Sequence, residues 1–299
     1  MVNSVRSDRN GGVTPLATVA RMLACPECCD ILAVRDRSLF CTNGHTFDIA
    51  RQGYVSLLTG ASTKMSGDTA AMLDARAAFQ DARHFAPIAD AVTAAVRRGA
   101  ETPPPFSILE IGAGTGYYLA AVLDAAPDAH GIALDVSKPA ARRGARAHSR
   151  AASILADAWR GLPIGDGQVD HVLSVFAPRN ADEIDRVLAP GGLVTVVTPT
   201  SRHLSELIAP LAMIGVDAAK DDRLAETMSG RFTRLRHTVV EYPMPLTRAD
   251  IANVAAMGPS AHHAAGQRAE RIAALPEIVQ VTASVTVSTF RAAGRTAGA

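Results

Sequence analysis

From Ser107 onward the chain alternates short apolar strand patterns with helical ones, and this alternation does most to narrow the fold. "SILEIGAG", "AHGIALDV", "ASILADA", "VDHVLSVFA" and "GGLVTVVTP" are five strand candidates spaced by helices. Strands joined through helices run the same way, so the pattern predicts an α/β fold with a doubly wound parallel sheet. "TVVEYPMPL" and "EIVQVTASVTVSTFR" read as two further strands, a pair at one edge of that sheet.

The first of these strands runs into "LEIGAGTGYY", which sets Gly112, Gly114 and Gly116 between a strand and a helix. Such a turn lets the backbone approach a ligand and presents helix N-terminal amides to it. Glu110 precedes the turn, and Asp135 ends the next strand, where its carboxylate can accept both ribose hydroxyls of an adenosine. The spacing G-x-G-x-G departs from the G-x-G-x-x-G of pyrophosphate sites, and "EIGAGTG" is the form familiar in S-adenosylmethionine enzymes. Asp157, after the third strand, is where such enzymes contact the adenine. Capping of helices is the plainer role for both aspartates; taken together with the turn, they favour S-adenosylmethionine over a dinucleotide.

All four cysteines lie near the front. Cys25, Cys28, Cys41 and His45 give C-x2-C-x12-C-x3-H, the spacing of a Cys3His zinc site, with Asn43-Gly44 favouring the turn that brings the second pair round. "ILAVRDRSLF" between the pairs reads as two short strands joined near Arg35-Asp36-Arg37. A redox pair or disulfide fits a cytoplasmic chain less well, and no thioredoxin-like pattern surrounds the motif. Four protein ligands close the coordination shell, which makes the site structural, and Cys29 is left over.

The organisation expected is a disordered tail over 1–20, a zinc ribbon over 21–60, a helical linker region over 61–104 and a methyltransferase domain over 105–299. No run of about 18 apolar residues occurs, and the start "MVNSVRSDRNGG" lacks a signal-peptide layout, so a soluble cytoplasmic protein without a membrane partner is expected. With 30 basic and 29 acidic residues, the charge balance excludes a histone-like protein. Basic residues are arginine except Lys64, Lys138 and Lys220, which suits phosphate and equally suits a GC-rich genome. Arg142, Arg146 and Arg150 at four-residue spacing make a face for RNA or for solvent.

The chemistry can be narrowed by what is missing. No cysteine stands in the methyltransferase domain to attack a pyrimidine, and "VFAPRNADE" replaces the Asn/Asp-Pro-Pro-aromatic loop of adenine amino-methylating enzymes. A ribbon appended to a methyltransferase points to a macromolecular substrate.

The zinc spacing, "GHTFDIARQGYVSLL" at 44–58, "GDTAAMLDARAAFQDARHFAPI" at 67–88, "EIGAGTGYY", "LDVSK" at 134–138, "VFAPRNADE" and "VTPTSRHLSEL" at 197–207 together resemble the RlmA-like bacterial 23S rRNA guanine-N1 methyltransferases. This group includes the tylosin and mycinamicin resistance enzymes. The resemblance spans the chain from about residue 22 and implies a Rossmann-like class I methyltransferase with an N-terminal zinc ribbon. It further implies methyl transfer from S-adenosylmethionine to N1 of a guanine in a 23S rRNA hairpin, macrolide resistance in one branch, a ribbon that holds RNA, and a homodimer. Matched position by position, Phe85, Tyr118, Leu119 and His203 fall around the cofactor. Asp68 in "SGDTAAM" is the candidate base for the N1 proton, against a plainer role as a helix N-cap. Arg76 and Arg83 on that segment orient RNA or form salt bridges. Two other classes compete: a small-molecule methyltransferase, and a non-catalytic RNA-binding protein that retains cofactor affinity.

Overall fold

The computed structural model of the chain describes residues 14–60, 63, 65, 67–99, 106–217, 219–258 and 265–293. The tail expected over 1–20 falls outside these for residues 1–13. Its last part is ordered: α1 (Pro15–Val19) has Thr14 as N-cap, with Pro15 at the position where proline suits a helix, and it buries Leu16 and Val19.

A three-stranded antiparallel meander follows, β1 (Ala33–Arg35), β2 (Ser38–Phe40) and β3 (Thr46–Asp48). Asp36, at φ 51°, makes the tight turn between the first two strands where the sequence placed it. β4 (Tyr54–Ser56) lies inside the range expected for the ribbon, yet it pairs in parallel with a strand of the main sheet, Tyr54 opposite Ser153.

The main sheet has eight strands. β5 (Phe106–Ile111), β6 (Ala129–Asp135), β7 (Ala151–Leu155), β8 (Val169–Val175) and β9 (Leu188–Pro199) realise the alternating pattern, with β10 (Phe232–Thr247) and β11 (Ile278–Ala292) as the antiparallel pair at one edge. In the spatial order β10-β11-β9-β8-β5-β6-β7-β4, strands β5 to β9 step outward in both directions from β5. That switch point is where ligands bind in open parallel sheets.

Both faces of the sheet are covered, which is why its central strands are apolar at successive positions. On one face Ile108, Leu173 and Val197 meet α2 (Ala70–Asp81), α3 (Ala86–Gly99) and α4 (Tyr117–Ala125) through Phe79, Ile88, Val92, Leu119 and Leu123. The region 61–104, expected as a linker, thus contributes two helices to the main core. On the other face Leu109, Ile132 and Ile154 share a core with Leu23, Leu32 and Leu39 of the ribbon. Backbone bonds from Ala24 to Pro163 (3.1 Å) and from Gly165 to Met22 (2.8 Å) tie the two together. The ribbon is fused to the sheet rather than appended to it.

α5 (Lys138–Ala147) connects β6 to β7, α6 (Ala181–Val187) precedes β9, and α7 (Ser205–Leu211), α8 (Lys220–Met228), α9 (Arg248–Ala256) and α10 (Ala265–Ala273) complete the layers.

Candidate functional site

The ligand atoms of Cys25, Cys28, Cys41 and His45 all lie within 4.8 Å of one another. Cys28 Sγ is 3.7 Å from Cys41 Sγ, and His45 Nδ1 is 3.4 Å and 3.6 Å from Cys41 and Cys25. A tetrahedral zinc with its usual bond lengths separates two sulfurs by about 3.8 Å and a sulfur from a nitrogen by about 3.6 Å, so the four residues fit the ion. A disulfide would bring two sulfurs to about 2 Å. Asp30 braces the knuckle by accepting the amides of Ile31 (2.8 Å) and Thr42 (3.0 Å), and Asn43 donates to Cys28 Sγ at 3.3 Å. Hydrogen bonds from Asn43 and the backbone at Asp30 bring the Cys28 thiol down to about 6, so a thiolate is at hand. Cys29 is exposed and outside the cluster.

The second centre sits at the C-terminal ends of β5, β6, β7 and β8. Gly112, Gly114 and Gly116 carry φ of 68°, 55° and 76°, a left-handed run that other residues adopt only under strain. A Cβ on Gly116 would stand 2.5 Å from that of Ala147, so this glycine also lets α4 and α5 approach. Asp135 accepts the Gly114 amide on one oxygen and the Ser137 amide on the other, both at 2.8 Å. Each oxygen keeps a free lone pair, as a ribose diol requires. Burial nevertheless raises its pKa, with the two amides opposing.

Glu110 is buried beneath the turn and accepts the Leu119 amide at 3.2 Å. Burial, with a smaller push from Asp135, raises its pKa to about 8. Asp157, after β7, accepts the Trp159 amide at 3.0 Å and the Thr63 hydroxyl at 2.5 Å. It therefore caps a short turn, as the plainer reading had it.

Four rings gather on the opposite side of the turn. His203 stacks on Phe176 at 5.8 Å and 29°, and Phe85 is 5.9 Å from His203 and 6.2 Å from Phe176. Tyr118 lies 6.4 Å from Phe176. His203 Nδ1 accepts the Ser284 amide at 3.2 Å, so its proton sits on Nε2, and burial holds its pKa down to about 4. The ring is a neutral donor. Tyr118 buries a hydroxyl that has no partner among the described residues. Leu119, placed around the cofactor by resemblance, packs its side chain wholly in the core, and its amide is engaged with Glu110.

Asp68 does not cap α2. Thr69 does so, accepting the Met72 amide at 3.3 Å. Both residue types cap helices, and the sequence does not choose between them. The Asp68 carboxylate instead pairs with Arg76 at 2.6 Å, and its carbonyl accepts the Ser137 hydroxyl at 2.6 Å, beside Asp135.

Phe176 was missed by the sequence reading. It follows β8 directly, with φ 53° and 41% exposure, unusual for an aromatic side chain; its place just past a strand end in "VFAP" was the available signal.

A three-layer α/β fold with this turn, a ribose-type aspartate and a closed Cys3His knuckle defines a zinc-containing, S-adenosylmethionine-dependent methyltransferase. Family models agree: residues 23–66 match the N-terminal zinc ribbon of RlmA and residues 108–192 a methyltransferase domain. The chain is 46% identical over 274 residues to the 23S rRNA (guanine(748)-N(1))-methyltransferase of Streptomyces fradiae, covering 91% of this chain and 98% of the relative. A relative from Micromonospora griseorubida, named provisionally as a 23S rRNA (guanine-N1)-methyltransferase, is 45% identical over 286 residues, 90% of this chain and 97% of its own length. The chain belongs to the 23S rRNA (guanine-N1)-methyltransferase family.

Proposed function

We propose that this chain methylates N1 of a 23S rRNA guanine, the one that corresponds to position 748 in the Streptomyces fradiae relative's name. The observation that carries the reading is the exposed Phe176 ring, stacked with neutral His203 just past the ends of β8 and β9. An extruded base needs an aromatic face to lie on, and RNA readers supply one. Phe85, Tyr118 and His203 complete the wall; Gly112, Gly114, Gly116 and Asp135 hold the cofactor's backbone and ribose side, Asp157 its adenine, and Glu110 and Leu119 support the turn from beneath.

S-adenosylmethionine, when bound, supplies an electrophilic methyl group on a sulfonium whose departing sulfur keeps the electron pair of the broken C–S bond. Guanine N1 forms the new N–C bond and gives up its proton. Asp68 takes that proton, and the remaining catalysis is orientation and exclusion of water.

The RNA track runs beyond the turn. A groove of 920 Å³ there is lined by Arg83, Arg142, Arg143 and Arg146 beside Thr115 and Gly116. The ribbon and the methyltransferase domain act on one RNA in this reading, and an rRNA substrate is in keeping with a cytoplasmic protein. No helix among the described residues is long and apolar enough to cross a membrane. A homodimer belongs to the same reading, supported by edge strand β10, exposed from Thr233 to Val239 on both faces.

Primer extension on 23S rRNA from cells with and without the gene tests the assignment, because a methyl on N1 blocks pairing and stops reverse transcriptase. A gene-dependent stop at that guanine is expected. Expressed, cofactor-binding protein without a stop would turn the assignment toward a small-molecule substrate or a silent binder.

A further inference from the structure

The methionine end of S-adenosylmethionine carries a carboxylate, and the glycine turn contains no cation to meet it. Arg76, from α2, supplies one. Its Nη2 donates to the Met257 carbonyl at 2.9 Å, and its Nη1 lies 2.9 Å from where a Cβ on Gly114 would stand. The guanidinium is therefore laid directly over the middle glycine of the turn, whose amide holds Asp135.

Its present anionic partner is Asp68, at 2.6 Å, with both side chains about one quarter exposed. Asp68 is tethered through its backbone to Ser137, so the carboxylate can swing without moving the segment. Nearby stands the orphan hydroxyl of Tyr118, on a residue only 6% exposed. Buried polar groups are as a rule hydrogen-bonded, and an unpartnered hydroxyl in a ligand cleft calls for an explanation. The charge on Arg76 is felt at that hydroxyl, as is the Glu110 carboxyl. A guanidinium and an O–H donor are two kinds of donor that a carboxylate takes.

We propose that Arg76 and the Tyr118 hydroxyl receive the carboxylate of the cofactor's methionine end, and that Asp68 occupies Arg76 only until that carboxylate displaces it. Asp68 already stands close enough to Asp135 to raise its pKa. A third carboxylate entering the cleft competes with Asp68 for the one guanidinium, and like charges do not share such a place without cost. Displacement leaves Asp68 unpaired in the loaded enzyme alone, which ties the candidate base to the presence of the methyl donor. This inference rests on the cofactor reading and is independent of which RNA is methylated.

Calorimetry with two ligands separates the carboxylate from the rest of the cofactor: S-adenosylhomocysteine, and 5′-methylthioadenosine, which keeps the adenosine and thioether but lacks the amino-acid group. Loss of a charge-assisted hydrogen-bonding partner predicts that Arg76→Met weakens S-adenosylhomocysteine about tenfold or more, while 5′-methylthioadenosine stays within about twofold. Tyr118→Phe weakens the first ligand about threefold or more and spares the second. Asp68→Asn, which removes the competitor, tightens S-adenosylhomocysteine about threefold. Equal weakening of both ligands by Arg76→Met would make the arginine a structural brace and overturn the proposal. Weaker S-adenosylhomocysteine binding in Asp68→Asn would overturn it even if Arg76→Met failed to fold. Wild-type protein that bound neither ligand would overturn the cofactor reading itself.

Discussion

The Glu110 carboxyl lies directly under the glycine turn, taking the Leu119 amide at 3.2 Å while Asp135 stands close enough to add its like charge. Burial, the larger effect, holds the pKa of Glu110 near 8, against 4.5 for a free glutamate. Above pH 4.5 the unfolded chain releases this proton and the folded chain keeps it up to about 8, so stability falls as pH rises through that interval.

Two buried histidines act oppositely. His171 and His203 are held down to about 3 and about 4, so they cost stability only as pH falls below their ordinary 6.5. The interval from 6.5 to 8 therefore isolates Glu110 from them. Over it the wild type should lose about 2 kcal/mol that Glu110→Gln does not, measured by denaturant unfolding at each pH. Parallel pH profiles of the two proteins would refute the buried-acid account.

Zinc removal should be felt in the main fold. Cys25 and Cys41 are buried in the same core as Leu109 and Ile132, so loosening the knuckle loosens one face of the sheet. One zinc per chain is expected by elemental analysis. Chelation or Cys41→Ser should lower the unfolding temperature by about 5 to 10 °C. A Tm unmoved by complete chelation would mean the ribbon is braced without its metal.

Phe176 gives a test of base stacking that leaves the cofactor alone. Stacking of a base on an aromatic ring contributes about 1–3 kcal/mol, so Phe176→Ala should reduce RNA methylation about 5- to 150-fold, and Phe176→Trp should restore most of it. S-adenosylhomocysteine affinity should stay near wild type. Full methylation by the alanine variant would remove the ring from the substrate's path.

These tests also mark where the sequence was readable. The glycine turn, the zinc spacing and the strand alternation are local patterns, and the fold places each where it was read. Asp68 against Thr69 was not decidable, because both residue types cap helices and the choice depends on Arg76, eight residues on. The left-handed backbone of Phe176 leaves no mark in composition. The fusion of ribbon to sheet rests on backbone bonds and on single leucines, Leu23, Leu32 and Leu39, too sparsely spaced to form a periodic signal.

Arg150 shows the same limit and gives the last test. By spacing it joins Arg142 and Arg146 on one basic face, yet its guanidinium folds back on the end of α4. There Nη1 donates to the carbonyls of Ala126 (2.7 Å), Pro127 (2.8 Å) and Ala129 (2.6 Å), and Nη2 donates to that of Leu123. A helix end leaves its last carbonyls without partners, and a cation there satisfies both their hydrogen bonding and the helix dipole. Arg150→Met should therefore destabilise the fold by about 2–4 kcal/mol, through several lost charge-assisted bonds. Arg142 and Arg146 instead line the groove beside the turn. Their replacement by alanine should leave stability within about 0.5 kcal/mol, weaken RNA binding, and lower the salt slope of that binding by about one per arginine. Unfolding curves and a salt titration of binding, run on the three variants together, separate the two roles. An Arg150→Met protein of wild-type stability with weakened RNA binding would return Arg150 to the basic face.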